Sequence, residues 1–153
     1  MQRNAYLMLA LAASISLAGC GSDAKSEDPK PQTKADMLAA HEWILNTATV
    51  TVAGQTVDAL AVGLLEDCEQ DNFYRFTTSN TFTLNENVKV CTPSSAESGT
   101  WAFNADQTKL LLTGQGSMQE STITELTDRA LKLSSTEDFA GTPITIDVSF
   151  KVK

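Results

Sequence analysis

The chain has 153 residues, enough for one domain with an ordinary hydrophobic core. Its 19 acidic residues outnumber its 11 basic residues and give a formal net charge of −8. This balance argues against binding to nucleic acid, whose affinity depends on Lys and Arg contacts to phosphate, and against electrostatic attraction to an anionic membrane surface.

The first segment, residues 1–19, has the layout of a secretory signal peptide. Arg3 supplies the positive charge, and a largely apolar run follows that is shorter than the roughly 20 residues a membrane-spanning helix needs. The run ends in Leu17-Ala18-Gly19-Cys20, which resembles the lipobox of bacterial lipoproteins. The resemblance implies cleavage before Cys20 and acylation of its thiol. We therefore expect a lipid anchor in the outer membrane of a cell envelope, facing the periplasm or the exterior; the alternative is an ordinary secreted protein.

The next segment, residues 20–34, is rich in Ser, Asp, Lys and Pro and has almost no apolar side chain. A segment of this composition buries too little apolar surface to fold, so we expect a flexible tether between the lipidated cysteine and the folded domain.

The cysteine count is odd, which is unusual for a protein in an oxidising compartment. If Cys20 carries lipid, Cys68 and Cys91 remain as a pair, and an exported protein can join them in a disulfide. A metal-binding pair is the alternative, although two thiolates alone rarely complete a metal site.

The third segment, residues 35–153, is predicted to form the folded domain. A short helix over residues 35–41 comes first, and from Trp43 onward apolar and polar residues alternate with the period of a β-strand. Strand-like runs separated by polar turns occupy residues 43–52, 57–65, 73–77, 81–84, 88–91, 99–103, 109–113, 117–126, 130–133 and 144–153. We expect eight or nine strands among them.

Consecutive hairpins with no helix long enough for a crossover predict an all-β fold with an antiparallel up-and-down meander. A meander of about eight strands can close on itself as a small barrel. A two-sheet sandwich is the alternative, because alternation along a strand does not distinguish the two.

A series of landmarks follows in the order Trp43, Asp67-Cys68, Phe73, Phe76, Cys91 and Gly99-Thr100-Trp101. In this order the landmarks resemble the lipocalin-like domain of small bacterial lipoproteins. The resemblance implies a calyx-like barrel but no particular ligand. The chain departs from the family at His41, where a glycine is usual.

The sequence favours no enzyme and no metal site. His41 is the single histidine, and the serines and threonines have no catalytic motif around them. A cluster of carboxylates, which calcium prefers as ligands, consists of Glu66, Asp67, Glu69 and Asp71. Asn72 replaces the glycine that a calcium loop needs at its sharp turn, so a solvated loop explains the cluster better. We predict no catalytic residue, no metal and no cofactor.

The predicted ligand contacts are five aromatic residues, Trp43, Phe76, Phe82, Trp101 and Phe150. They could equally fill an eight-stranded barrel, which is just wide enough for its own side chains. We expect a non-enzymatic binding lipoprotein that holds a small apolar or amphipathic ligand in the barrel mouth. The alternatives are a protein–protein module that acts through loops and rim, such as an inhibitor or a subunit of an envelope complex, and a structural spacer.

Overall fold

The structure is a computed structural model, and it describes residues 31–153. The predicted signal peptide, Cys20 and most of the predicted tether lie outside the described residues. Within residues 31–153, no helix is both long and apolar enough to span a bilayer.

The described residues contain a short helix, α1 (Lys34–Ala39), and nine strands. The strands are β1 (Glu42–Val52), β2 (Gln55–Asp58), β3 (Phe73–Phe76), β4 (Thr81–Asn85), β5 (Glu97–Phe103), β6 (Lys109–Gly114), β7 (Ser117–Leu126), β8 (Ala130–Phe139) and β9 (Thr142–Val152). A 3₁₀ turn, Asp67–Glu69, lies between β2 and β3.

Eight of the strands form a closed antiparallel barrel. β1 and β3 to β9 pair in order, and β9 returns to pair with β1 from Trp43 opposite Val152 to Val52 opposite Ile144. This closure confirms the predicted meander and barrel and rules out the sandwich. β2 is an extra strand that pairs with the last four residues of β1.

Two of the predicted strands are wrong. β2 ends at Asp58, because the Asp58 carboxylate accepts hydrogen bonds from the backbone N–H groups of Leu60 and Ala61 and turns the chain. Residues 59–65 therefore form turns despite their apolar composition. Residues 88–91 form a loop. One carboxylate oxygen of Asp71 accepts hydrogen bonds from the backbone N–H groups of Val88 and Lys89 and fixes this loop.

Helix α1 closes one end of the barrel. Thr33 and Asp36 form a reciprocal capping box at its start, one residue before the predicted start of the domain. Leu38 is fully buried on the barrel core, and its carbonyl oxygen accepts a hydrogen bond of 2.8 Å from the Trp43 indole. Lys34 donates to the carbonyl oxygen of Gln107 and fixes the helix to the turn between β5 and β6.

The opposite end of the barrel is its mouth. Two long loops, residues 59–72 and 86–96, and the turns β1–β2, β6–β7 and β8–β9 meet there. The disulfide between Cys68 and Cys91 joins the two long loops, with 5.2 Å between the Cα atoms. The predicted disulfide is therefore confirmed.

Candidate ligand-binding site

The mouth half of the barrel contains a cavity of about 440 Å³, here called the main cavity. Its deep wall is apolar and includes Phe76, Leu112, Leu131, Leu133, Val148 and Phe150. Its outer wall is more polar and includes Gln119, Ser121, Ser135 and Glu137. A volume of this size lies in the range of sites for small molecules, roughly 300–1,000 Å³.

The pairing of β8 with β9 determines which of their residues line the main cavity. Leu131 lies opposite Phe150 and Leu133 opposite Val148, so these four side chains share the inner face. Two residues further toward the mouth, Ser135 pairs with Ile146 on the same face. The inner face of β8 thus changes from leucine to serine as it approaches the mouth.

The main cavity also opens sideways between β7 and β8. The pairing of these strands ends at Thr122 opposite Ser134, and beyond it each strand is paired only on its other side. Glu120 and Thr136 line the cavity although their strand positions face outward. The cavity therefore reaches through the barrel wall as well as into the mouth.

A smaller cavity of about 150 Å³, here called the side cavity, lies next to the main one. Tyr74, Val148 and Phe150 line both cavities, so the two are adjacent. The remaining wall of the side cavity consists of Leu45, Leu65, Glu69, Asn72 and Leu84.

Tyr74 is the polar member of the three residues that line both cavities. Its ring centroid lies 5.7 Å from that of Phe76 and 5.6 Å from that of Phe150, and its hydroxyl makes no hydrogen bond to a described residue. Burial, together with the smaller effect of the charges of Glu97 and Glu69, raises the pKa of Tyr74 from 10.0 to about 12. The hydroxyl is therefore neutral at physiological pH and can donate to a ligand or accept from one.

The groups around Tyr74 are acidic or neutral hydrogen-bond acceptors. Glu97 faces inward from β5, packs against Gly114 and borders a third, very small cavity with Tyr74. One oxygen of Glu69 accepts from the backbone N–H of Glu66 at 2.9 Å. Asn72 is only 6% exposed; its amide nitrogen donates to Ser95, while its buried oxygen has no partner among the described residues.

No lysine or arginine among residues 31–153 lines either cavity. Two of the basic side chains pair with acids: Lys132 with Glu125 on the outer face, and Lys109 with Glu120, which borders the sideways opening of the main cavity. Lys89 pairs with Asp67 at 2.9 Å in the loops of the mouth. The charged residues that line the two cavities are therefore all acidic.

The structure separates the five predicted ligand contacts into two groups. Phe76 and Phe150 line the main cavity, and Phe82 borders the very small cavity next to Tyr74. Trp43 and Trp101 belong to the buried core and line neither the main nor the side cavity. All five remain predictions as ligand contacts.

Sequence reasoning missed Tyr74, Asn72 and Glu97. Tyr74 is two residues before Phe76 and so shares its face, a signal that the sequence did contain. Asn72 precedes β3 in a loop and has no local pattern that points into the barrel. Glu97 lies four residues before Trp101 and shares its face, but the predicted strand began only at residue 99, so this signal was missed.

The acidic cluster around Cys68 has structural partners. Asp71 accepts two backbone hydrogen bonds from the opposite loop, and Asp67 pairs with Lys89 of that loop. Glu66 lies close to Cys68 and Cys91, but both sulfurs are oxidised in the disulfide and present no thiolate to a metal. These contacts join the two mouth loops.

Together these features define a small closed antiparallel β-barrel with a cavity at its mouth, the architecture of a calyx that binds small ligands. The sequence model of the lipocalin-like domain matches residues 40–133, which is more than half of the chain. The chain therefore belongs to the lipocalin-like domain family. The lipocalin-like fold is typically a binding fold without enzymatic activity. A comparison with curated proteins found no match.

Proposed function

We propose that this chain is a lipid-anchored, non-enzymatic binding protein of the bacterial cell envelope. It holds a small apolar or amphipathic ligand in the mouth of its barrel. The observation that supports this proposal is the main cavity, which combines a deep apolar wall, an outer polar wall and two openings. A cavity of about 440 Å³ next to a well-packed barrel half is large for a space that serves no ligand.

Binding can be tested with N-phenyl-1-naphthylamine, a neutral apolar probe whose fluorescence rises in an apolar site. Ser135 faces the main cavity, so Ser135→Trp should fill part of it and weaken probe binding by about tenfold or more. Thr113→Trp places the same side chain at an exposed position of β6, outside the main and side cavities, and should leave binding unchanged. Unchanged binding by Ser135→Trp, or no binding by the unaltered protein, would contradict the proposal.

The proposed anchor can be tested separately in a Gram-negative host. Cys20→Ala removes the acylated thiol and should release the protein from the membrane fraction. Retention of the unprocessed variant in the membrane would show that residues 1–19 act as a membrane anchor instead.

A protein–protein function is the second candidate, and the rim of the mouth favours it. Nine of the ten exposed large hydrophobic side chains in the described residues belong to loops, turns or strand ends at the mouth, the exception being Val152. Val88 is 85% exposed and Phe139 is 64% exposed. Apolar side chains gathered at one end of a protein often mark a contact surface.

This second function can be tested by photo-crosslinking in the host. A photoreactive residue at Phe139 should give one adduct of defined mass if a partner covers the rim. The same residue at Lys151, exposed on β9 at the closed end, is the control. Absence of a Phe139-specific adduct would argue against a stable partner.

A further inference from the structure

We propose that the ligand of the mouth is a cationic amphipath, an apolar body that carries an ammonium group, and that the ammonium binds between Tyr74, Glu69, Asn72 and Glu97. This inference rests on the proposed function, because it concerns the same site. It goes further by naming the charge of the ligand and the place where that charge is bound.

The charged groups that line the two cavities favour a cationic ligand. Glu137 faces the main cavity and Glu69 the side cavity, while every basic side chain of the described residues lies elsewhere. A carboxylate ligand would enter a space with no positive partner and would lose its hydration without compensation. An ammonium ligand would instead find opposite charge in a partly desolvated site, where charge-assisted hydrogen bonds are strong.

Asn72 provides a hydrogen-bond acceptor that is unsatisfied within residues 31–153. Asn72 lines the side cavity, and its side-chain oxygen is buried without a hydrogen-bond partner among the described residues. A buried acceptor without a donor is costly, so such a group points to a donor that binds there. An ammonium group carries three donors and no acceptor.

The surroundings of Tyr74 also suit a cationic group. The Tyr74 hydroxyl has no hydrogen-bond partner within residues 31–153 and lies near the charges of Glu97 and Glu69, and the Tyr74 ring packs among Phe76, Phe82 and Phe150. Aromatic rings attract cations through their faces. Because Tyr74 lines both cavities, a ligand with its charge at this residue can place its apolar body on the leucines of the main cavity.

The test compares three probes of the same chain length: decylammonium, decan-1-ol and decanoate. The protein begins at residue 20 and carries Cys20→Ser, so that no acyl chain or detergent competes for the cavity. Isothermal titration calorimetry at neutral pH and below the micellar concentrations gives the three affinities. We expect decylammonium to bind about tenfold more tightly than decan-1-ol, and decanoate to bind most weakly.

Substitutions of single glutamates test where the ammonium group of the ligand binds. Glu69→Gln and Glu97→Gln keep the shape of the side chain and should each weaken decylammonium by about five- to tenfold, with little effect on decan-1-ol. Glu125→Gln makes the same change in net charge on the outer face, where Glu125 pairs with Lys132, and should change none of the affinities.

The outcomes separate the two proposals. If decan-1-ol or decanoate binds as tightly as decylammonium, the cationic ligand is refuted and the binding function stands. If decylammonium binds most tightly but is insensitive to both variants, the proposed position of the ammonium is refuted. If no probe binds, both the ligand class and the binding function are refuted.

Discussion

The assignment of Trp101 to the core leads to a quantitative prediction for Trp101→Ala. The side chain is 4% exposed, and its ring centroid lies 6.1 Å from that of Phe76 and 5.3 Å from that of Phe103. Its indole nitrogen donates to the carbonyl oxygen of Thr77 at 3.0 Å. Removal of a large buried aromatic side chain costs about 3–5 kcal/mol. This is a large share of a typical total stability of roughly 5–15 kcal/mol.

Packing should outweigh the hydrogen bond in this loss. Thr77 is only half-buried, so water can replace the indole in the variant, and the lost bond should contribute only about 1 kcal/mol. Trp101→Phe removes the donor but keeps a ring, and it should cost about 1–2 kcal/mol. If the hydrogen bond dominated, the two variants would lose nearly the same stability.

Urea unfolding, followed by the fluorescence of the remaining Trp43, measures both losses. Phe139→Ala is the control, because this ring is 64% exposed at the mouth and its removal should change stability by less than about 0.5 kcal/mol. A loss below about 2 kcal/mol for Trp101→Ala, with an unchanged m-value, would refute the core assignment. Trp101 would then have to line an open space.

Three further predictions concern the disulfide, a glycine and a carboxylate. Alkylation of fragment 31–153 should label its two cysteines only after reduction, and reduction should cost about 3 kcal/mol, because the bridge closes a loop with a sequence separation of 23; labelling without reductant would contradict the structure. Gly99→Ala should cost about 1–3 kcal/mol or more, since the added Cβ would overlap the carbonyl oxygen of Thr113, whereas Ser98→Ala should be near neutral in urea unfolding. Hydrogen bonds from the backbone N–H groups of Ser95 and Cys91 and from the Ser94 hydroxyl lower the pKa of Glu86 from 4.5 to about 2. The stabilising effect of this carboxylate is therefore present above pH 4.5 and is lost as the pH falls toward 2. Glu86→Gln should therefore lose less stability than the unaltered protein between pH 5 and about pH 3, and an equal loss in both would contradict this role.

The barrel could be predicted from sequence because its strands carry local signals. The last strand alternates apolar and polar residues from Ile144 to Val152, and this pattern alone sets which face is buried. The order of landmarks such as Trp43 and Cys68 indicated the lipocalin-like family, which the match over residues 40–133 confirms. The meander predicted a closed barrel, and the pairing of β9 with β1 closes it.

The mouth could not be predicted because its structure depends on contacts between distant segments. Residues 59–65 are apolar enough to resemble a strand, but the Asp58 side chain turns the chain and Gly63 adopts a positive φ of 72°. The sideways opening of the main cavity exists because β7 and β8 separate beyond Thr122 and Ser134. No residue pattern within β7 or β8 predicts where their pairing ends, because the position of each strand depends on its pairing with the other strands of the barrel.

The two halves of the barrel are held together by different interactions, and this makes stability and binding separable. The closed half depends on buried side chains such as Leu38 and Trp43, whose removal costs stability. The loops of the mouth depend on the disulfide and on carboxylates such as Glu86 and Asp71, which bind backbone N–H groups. Side chains inside the mouth, including Glu97 and Ser135, have few structural partners and can change with little effect on the core. Substitutions there should therefore alter the choice of ligand while the barrel remains folded, which is the property that a family of binding barrels needs in order to serve different ligands.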